Sequence, residues 1–283
     1  MPKIGLMISA KDTNQIWHPY IMAFKQALNT NPVNYDQQPS GAGGGAGGVK
    51  VDYDAAAQKL VADNVDVIVT AGNLAASACK NATQTIPIVV ASAGDLTGLA
   101  GGNLTGFTNG QDDHRILDER IARMLRILKP QKAVAVAGNS SVKPVKAAMD
   151  YAVAKNMGVP VYPAPFTQPT DFHNEATIQG KLKPPVGITL TADVVLVCSD
   201  PLMRTHGTIF VKTAHGMNMR TMHEFAEWRG NHGGDLCFGP DFKRLFEEAA
   251  GYVDQILGGT PVTNLPVVPV TLADCVQTPV PPP

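Results

Sequence analysis

The sequence predicts an α/β protein with two doubly wound lobes, a hinge, and a cleft between the lobes. Short runs of β-branched and small apolar residues, each ending in small polar residues, alternate with helical patterns. This alternation is typical of parallel strands that are buried on both faces. It starts again at Ala133, after Pro130, so the same design occurs twice. A length of 283 residues is enough for two domains of ordinary size.

The stretch Val65–Gly106 shows the design of the first half most clearly. Two strand-length apolar runs enclose an Ala-rich helical segment, and small polar residues follow each run. The run at 39–48, PSGAGGGAGG, precedes a strand instead of following one, so we interpret it as a flexible surface loop and not as a phosphate-binding loop. The predicted strands are Lys3–Ser9, Val49–Tyr53, Val65–Val69, Ile86–Ala91 and Asn103–Phe107. The other predicted helices are Thr13–Leu28, Asp54–Asn64 and Asp112–Leu128.

The second half repeats this order and ends in a Pro-rich and Val-rich segment. The predicted strands are Ala133–Ala137, Val159–Tyr162, Ala192–Cys198, Arg220–His223 and Gly234–Phe238, with a turn at Pro163–Thr167. The predicted helices are Ser141–Asn156, Thr170–Leu182, a helix from Pro201 to about His215, and Asp241–Leu257. We expect lobe 1 to comprise 1–109 and about 237–260, lobe 2 to comprise 110–236, and 261–283 to form a crossing strand and a frayed tail.

The composition argues against several classes of protein. The net charge is −1, with no long run of either sign, which argues against a nucleic-acid partner or an anionic membrane surface. The longest apolar stretches fall short of 18 residues, so membrane insertion is not expected. The four cysteines lack a CxxC motif and predict no disulfide framework. The N-terminal MPKIGLMIS predicts a strand, so either the chain is cytoplasmic or a signal peptide was removed.

Catalytic motifs are missing, and the candidate functional residues are polar groups at strand ends. The sequence has neither GxSxG nor HExxH, and we predict no cofactor. Because ligands of open α/β sheets bind outside the carboxyl ends of the strands, Asn73, Ser92 and Asp200 are candidates, with helix capping as the alternative for each.

Other residues with functional potential have equally plausible structural roles. The pair His223 and Glu224 is either a set of polar cleft contacts or a satisfied surface pair. The tryptophans Trp17 and Trp228 either stack on a ligand or pack in the core. The sequence leaves open whether the evenly spaced His206, His215, His223 and His232 have any role.

Several ordered segments resemble the substrate-binding proteins of ABC transporters with the type 1 periplasmic-binding (Rossmann-like) fold, in the subfamily associated with tryptophan and tyrosine uptake. The matching segments cover nearly the whole chain in the family's order. They are VDVIVTAGN, NATQTIPIVV, GDLTGLA, GGNLTG, LKPQKAVAVAGN, ADVVLVCSD and FGPDFKRLFEEAAGYVDQILGGTPVTNLPV. The sequence departs from the family pattern at Leu74 and Leu96, where the family usually has proline, and between His223 and Gly234, where the segment is longer.

The resemblance implies a solute-binding protein, not an enzyme, that captures a small polar or aromatic molecule for ABC-type import, with an amino acid as one option. It also implies an ABC permease as partner and a periplasmic location. A ligand sensor without a transporter, or an enzyme on the same two-lobe plan, are the alternatives. Carried over residue by residue, the implied ligand contacts are Ser9, Asn73, Ser92, Asn139, Asp200 and Glu224.

Overall fold

The computed structural model describes residues 1–8, 17–30, 34–38, 52–110, 113–198 and 200–278. The chain forms two compact units, and each is made from two separate parts of the sequence. Unit 1 comprises Met1–Gln111 and Phe242–Val270, and unit 2 comprises Asp112–Asp241 and Thr271–Pro283. Within the described ranges, the helices are all too short or too polar to cross a membrane.

Strands and helices alternate along almost the whole chain. In chain order the first elements are β1 Lys3–Met7, α1 His18–Ala27, β2 Asn34–Gln38, α2 Tyr53–Ala62, β3 Val67–Ala71, α3 Asn73–Ala82, β4 Ile88–Ala93, β5 Leu104–Thr108 and α4 His114–Ile127. The next are β6 Val134–Gly138, α5 Lys143–Val153, β7 Val161–Pro165, α6 Glu175–Leu182, β8 Val194–Cys198, α7 Pro201–Thr205 and α8 Gly207–Gly216. The last are β9 Arg220–His223, α9 Glu227–His232, β10 Leu236–Pro240, α10 Phe242–Leu257 and β11 Cys275–Gln277.

The two units contain sheets of the same topology, and this confirms the predicted α/β class and its repetition. In unit 1 the parallel strands lie in the order β2-β1-β3-β4-β5. In unit 2 the order is β7-β6-β8-β9-β10, again parallel, and β11 adds an antiparallel edge strand beside β10. Each sheet therefore reverses its strand order once, between β1 and β3 and between β6 and β8. In doubly wound sheets, ligands bind at such a switch point.

Burial of the central strands explains why they are predictable. Every residue of β3, β6 and β8 is buried, as expected for parallel strands covered on both faces. In unit 1, α1 packs against α10 through aromatic rings, with the ring centroids of Tyr20 and Phe246 5.7 Å apart. Pro19 lies in the first turn of α1, where it is tolerated because an amide hydrogen at that position has no partner within the helix.

Four expectations about single elements were wrong or incomplete. The polar strand β2, NYDQQ, was not predicted, and Tyr53 begins α2 instead of ending a strand. Residues 163–165 of the predicted turn belong to β7, an edge strand that tolerates Pro163 and Pro165 because one side of its backbone needs no strand partner. The predicted helix after Asp200 is broken at His206 into α7 and α8. The glycine-rich loop 39–48 lies outside the described residues.

Candidate functional site

The switch point of unit 2 brings together Asn139 and Asp200. Asn139 follows β6, Asp200 follows β8, and these neighbouring strands pair in parallel register up to Gly138 and Cys198. The Asn139 side-chain amide donates a hydrogen bond of 2.6 Å to Asp200 Oδ2. The side-chain carbonyl oxygen of Asn139 accepts hydrogen bonds from the backbone amide and the hydroxyl of Ser141. The strand-end rule predicted the position of Asp200 and the family resemblance implied Asn139, and the structure brings the two together.

Asp200 is a buried carboxylate that accepts hydrogen bonds from Asn139 and from the backbone amides of Leu202 and Met203. Its side chain caps α7 by accepting a hydrogen bond of 2.8 Å from the Met203 backbone amide, so the helix-cap interpretation applies to it. The residue is 7% exposed. Burial raises the pKa of Asp200 above its ordinary value, while the hydrogen bonds from Met203 and Asn139 act in the opposite direction. A carboxylate accepts about four hydrogen bonds, so Asp200 retains acceptor capacity for a ligand ammonium or hydroxyl group.

In unit 1 the polar cluster at the carboxyl ends of the strands contains Asn73 and Ser92. Asn73 opens α3 after β3, and its side chain bridges to the loop after β4. It accepts a hydrogen bond of 2.9 Å from the Gly94 amide and donates one to the Asp95 carbonyl. Ser92 is buried, and its hydroxyl accepts a hydrogen bond of 3.3 Å from the Asn109 side chain. Ser9, the candidate after β1, lies outside the described residues.

Glu224 follows β9 and forms a buried ion pair. Its carboxylate lies 3.5 Å from the Arg120 guanidinium, and both side chains are 6% exposed or less. Arg120 also donates a hydrogen bond of 2.8 Å to the Phe238 carbonyl in β10. The interpretation of Glu224 as part of an exposed surface pair with His223 is therefore wrong. Arg120 of α4 therefore links the carboxyl end of β9 to β10.

The remaining His and Trp candidates pack against protein rings. Trp228 is fully buried and stacks on the His223 ring, with centroids 4.2 Å apart and an interplanar angle of 16°. Trp17 packs near Tyr20 and Phe246, which is consistent with the structural interpretation of that residue. His215 pairs with Asp235 at 2.9 Å. Among the described residues, which include all four evenly spaced histidines, no group of His, Cys, Asp and Glu is arranged to hold a metal ion.

A pocket of about 390 Å³ opens near the amino ends of the unit 1 strands, away from the candidate residues at their carboxyl ends. Pro87 and Asn103, which precede β4 and β5, line it together with residues that follow α10. The candidate residues lie at the carboxyl ends of the strands, Asn73 after β3 and Ser92 near the end of β4. The pocket and the candidate residues are therefore separate features of unit 1.

The sequence also matches a model of a known protein family. A family model for ABC transporter substrate binding proteins matches residues 24–276, which is most of the chain. The chain belongs to this family. Members of this family are solute-binding proteins rather than enzymes, and they deliver small molecules to a permease. Such proteins typically work in the periplasm or outside the cell.

Solved structures share the fold of this substrate-binding protein at low sequence identity. An ABC domain from Streptococcus pneumonia in complex with L-Trp has a TM-score of 0.73 and 15% identity, and the match covers 97% of this chain and 91% of that one. An ABC transporter solute-binding protein from Agrobacterium vitis with bound allitol has a TM-score of 0.62 and 15% identity, over 98% and 94% of the two chains.

A LacI family regulator from Arthrobacter sp. FB24 in complex with lactose has a TM-score of 0.67 and 14% identity, over 95% of each chain. These likenesses confirm the type 1 periplasmic-binding fold. Among curated protein sequences, the comparison found no match.

Two polar residues of the strand-end clusters were not among the sequence candidates. Asn109 follows β5 and hydrogen-bonds to Ser92, and the strand-end rule already used for Asn73 could have identified it. Arg120 lies in α4 among other charged residues, yet it is 4% exposed. A pattern of charges along one helix does not reveal that a carboxylate and a carbonyl from two strands lie beside it.

Proposed function

We propose that this protein captures a small polar or aromatic solute at the carboxyl edges of its sheets and delivers it to an ABC permease. Amino acids are one class of solute that fits. The proposed location is the periplasm or the outer side of the cytoplasmic membrane. The proposed ligand contacts are Ser9, Asn73, Ser92, Asn139, Asp200 and Glu224.

The observation that carries the proposal is the buried Asn139–Asp200 pair at the switch point of unit 2. A buried carboxylate that keeps free acceptor capacity suits a ligand ammonium or hydroxyl group, since a charge-assisted hydrogen bond compensates for the loss of water. The family's role in solute capture also supports the proposal that this protein binds a small solute. In unit 1, Asn73 lies at the corresponding switch point, after β3.

The departure at Leu74 supports a solute that also has an apolar part. Leu74 follows Asn73 in the first turn of α3 and is 73% exposed. Leu96, the other departure, is 2% exposed and packs in the core of unit 1. Leu74 therefore presents apolar surface beside a polar group, which suits an amphipathic molecule such as an apolar or aromatic amino acid.

A thermal-shift screen of amino acids, short peptides, nucleosides and aromatic acids tests the proposal. A ligand that binds the folded state raises the melting temperature, and we expect at least one compound of the screen to do so. The Asp200→Ala variant should lose this shift, because the carboxylate is gone. Absence of any stabilising compound would contradict the proposed function.

Asp193→Ala is the matched control for Asp200→Ala. Asp193 precedes β8 at its other end, and its carboxylate also accepts hydrogen bonds from backbone amides, those of Gln131 and Lys132. Both variants lose backbone hydrogen bonds, so each is compared with its own ligand-free melting temperature. We expect the ligand shift to persist in Asp193→Ala. An unchanged shift in Asp200→Ala would remove Asp200 from the site.

A further inference from the structure

His223 is a buried imidazole whose two ring nitrogens have no hydrogen-bond partner among the described residues. The residue is fully buried at the carboxyl end of β9, and its backbone pairs with Cys237 of β10. Its ring is covered by Trp228, whose indole nitrogen is likewise without a partner in the described part of the chain. Buried polar atoms without partners are rare in native proteins, so this pair calls for a physical explanation.

The His223 ring is closely packed against its described neighbours. A methyl group added at Gly234 would lie 2.6 Å from the Cδ2 atom and 2.7 Å from the Nε2 atom of His223. The Trp228 ring closes another side, and His232 meets Trp228 edge-on at a centroid distance of 5.0 Å. Close packing against Gly234 and Trp228 buries the ring completely. Burial of this kind favours the neutral form of the imidazole.

The basic side chains around His223 oppose its protonation. Arg120 faces it from α4, His215 from α8 and His232 from α9, and α9 also carries Arg229. The two carboxylates in the region have other donors. Asp235, before β10, accepts hydrogen bonds from His215 and Thr221. Glu224, next to His223 in the chain, pairs with Arg120.

We propose that His223 makes this part of unit 2 acid-sensitive: its protonation releases residues 224–234, which include α9, from the sheet. An imidazolium ion needs hydrogen-bond acceptors or water at its nitrogens, and the described residues offer no acceptor to the buried ring. Release of the segment exposes the ring to solvent and moves it away from His232. The segment also carries Glu224, so a consequence for solute affinity rests on the proposed function, whereas the opening itself does not.

The sign of the pH dependence follows from the environment of the ring. Burial first, and then His232, His215 and Arg120, hold the pKa of His223 well below its ordinary value. Between that low value and about 6.5, the ordinary pKa of histidine, the unfolded or opened state binds one more proton than the closed state. Stability is therefore complete above about pH 6.5 and falls as the pH is lowered, by about tenfold in the folded-to-open ratio for each pH unit.

A single-tryptophan variant reports the opening directly. The protein has two tryptophans, so Trp17→Phe leaves Trp228, which stacks on His223, as the only indole fluorophore. We expect the Trp228 emission of this variant to shift to longer wavelength as the pH falls below 6.5, before global unfolding detected by far-UV circular dichroism. In Trp17→Phe/His223→Phe, an uncharged ring replaces the imidazole, and we expect the acid-dependent shift to disappear. His223→Leu serves the same purpose if the Phe variant does not fold.

His173→Phe in the same Trp17→Phe background is the control, because His173 is an exposed histidine of the same unit. It should keep the pH profile of the parent. The proposal is overturned if the Trp228 emission stays constant until global unfolding, or if the profiles with and without His223 coincide. Solute affinity measured at the same pH values then separates the two proposals, since the fluorescence change requires no ligand.

Discussion

Asp254 shows how one carboxylate holds two helices of unit 1 together. It lies in α10, and its two oxygens each accept a hydrogen bond of 2.8 Å from the chain after α1, from the backbone amides of Asn29 and Thr30. Burial acts to raise the pKa of Asp254, but these hydrogen bonds outweigh it, so the pKa lies below its ordinary value. The carboxylate therefore stabilises the folded state above about pH 4, and this contribution is lost as the pH falls further.

The Asp254→Ala substitution tests this interaction. We expect it to lower the free energy of unfolding by about 1–3 kcal/mol at pH 7, because two backbone donors lose a charged acceptor. Urea unfolding at pH 7 and at pH 3 measures the effect, which should shrink at the lower pH. Glu247→Ala on the same helix is the control, since the exposed pair Lys243–Glu247 should contribute less than about 1 kcal/mol. Equal effects of both substitutions would contradict the assignment.

At the residue scale, sequence reasoning succeeds where one strand end determines a position. Asn139 and Asp200 each follow a buried apolar run, and parallel pairing of those runs brings the two side chains together. Arg120 and His223 could not be assigned in this way. Their burial depends on which side chains arrive from other elements, such as Glu224 for Arg120 and Trp228 for His223. That information is a property of tertiary packing and not of local pattern.

At the element scale, the strands that the sequence predicts are those with both faces covered. Strands β3, β4, β6 and β8 are fully buried and appear in the sequence as continuous apolar runs. The edge strand β2 consists of polar residues and gives no such signal. The edge strand β7 contains two prolines, which suggested a turn. Edge position explains both errors, because an edge strand tolerates polar residues and proline.

A glycine between two strands of unit 2 provides a prediction at this scale. A methyl group at Gly239 in β10 would lie 2.0 Å from the carbonyl oxygen of Glu224, which follows β9. Backbone atoms cannot yield to such contact without moving a strand. We expect Gly239→Ala to lower the free energy of unfolding by about 3 kcal/mol or more, as measured by urea unfolding.

Gly251→Ala is the matched control for that experiment. Gly251 lies within α10, and a methyl group there would meet no described atom within 4 Å. This substitution should raise the free energy of unfolding by about 1 kcal/mol, because alanine favours the helix more than glycine does. A Gly239→Ala variant as stable as the parent would show that β9 and β10 are not held as closely as the structure indicates.

At the scale of the whole molecule, two copies of one strand order account for the distribution of the candidate residues. When the parallel strands of each unit are numbered in chain order, both sheets have the order 2-1-3-4-5. Each sheet places an asparagine after a strand at its switch point, Asn73 in unit 1 and Asn139 in unit 2. The family match over residues 24–276 includes strands of both sheets. The repetition could be predicted from the sequence because apolar runs and helical patterns alternate in the same way in both halves. The identity of the solute could not, since it depends on how loop side chains combine.

The central claim is that the protein binds a small solute reversibly and leaves it chemically unchanged, with Asp200 as a contact. Isothermal titration calorimetry of a solute identified by thermal shift, followed by recovery of that solute, tests the claim most directly. We predict one solute bound per chain, recovery of the intact molecule, and a loss of affinity of about tenfold or more in Asp200→Ala, as expected for a charge-assisted hydrogen bond. Conversion of the solute to a product, or equal affinity of the wild-type and Asp200→Ala proteins, would contradict it.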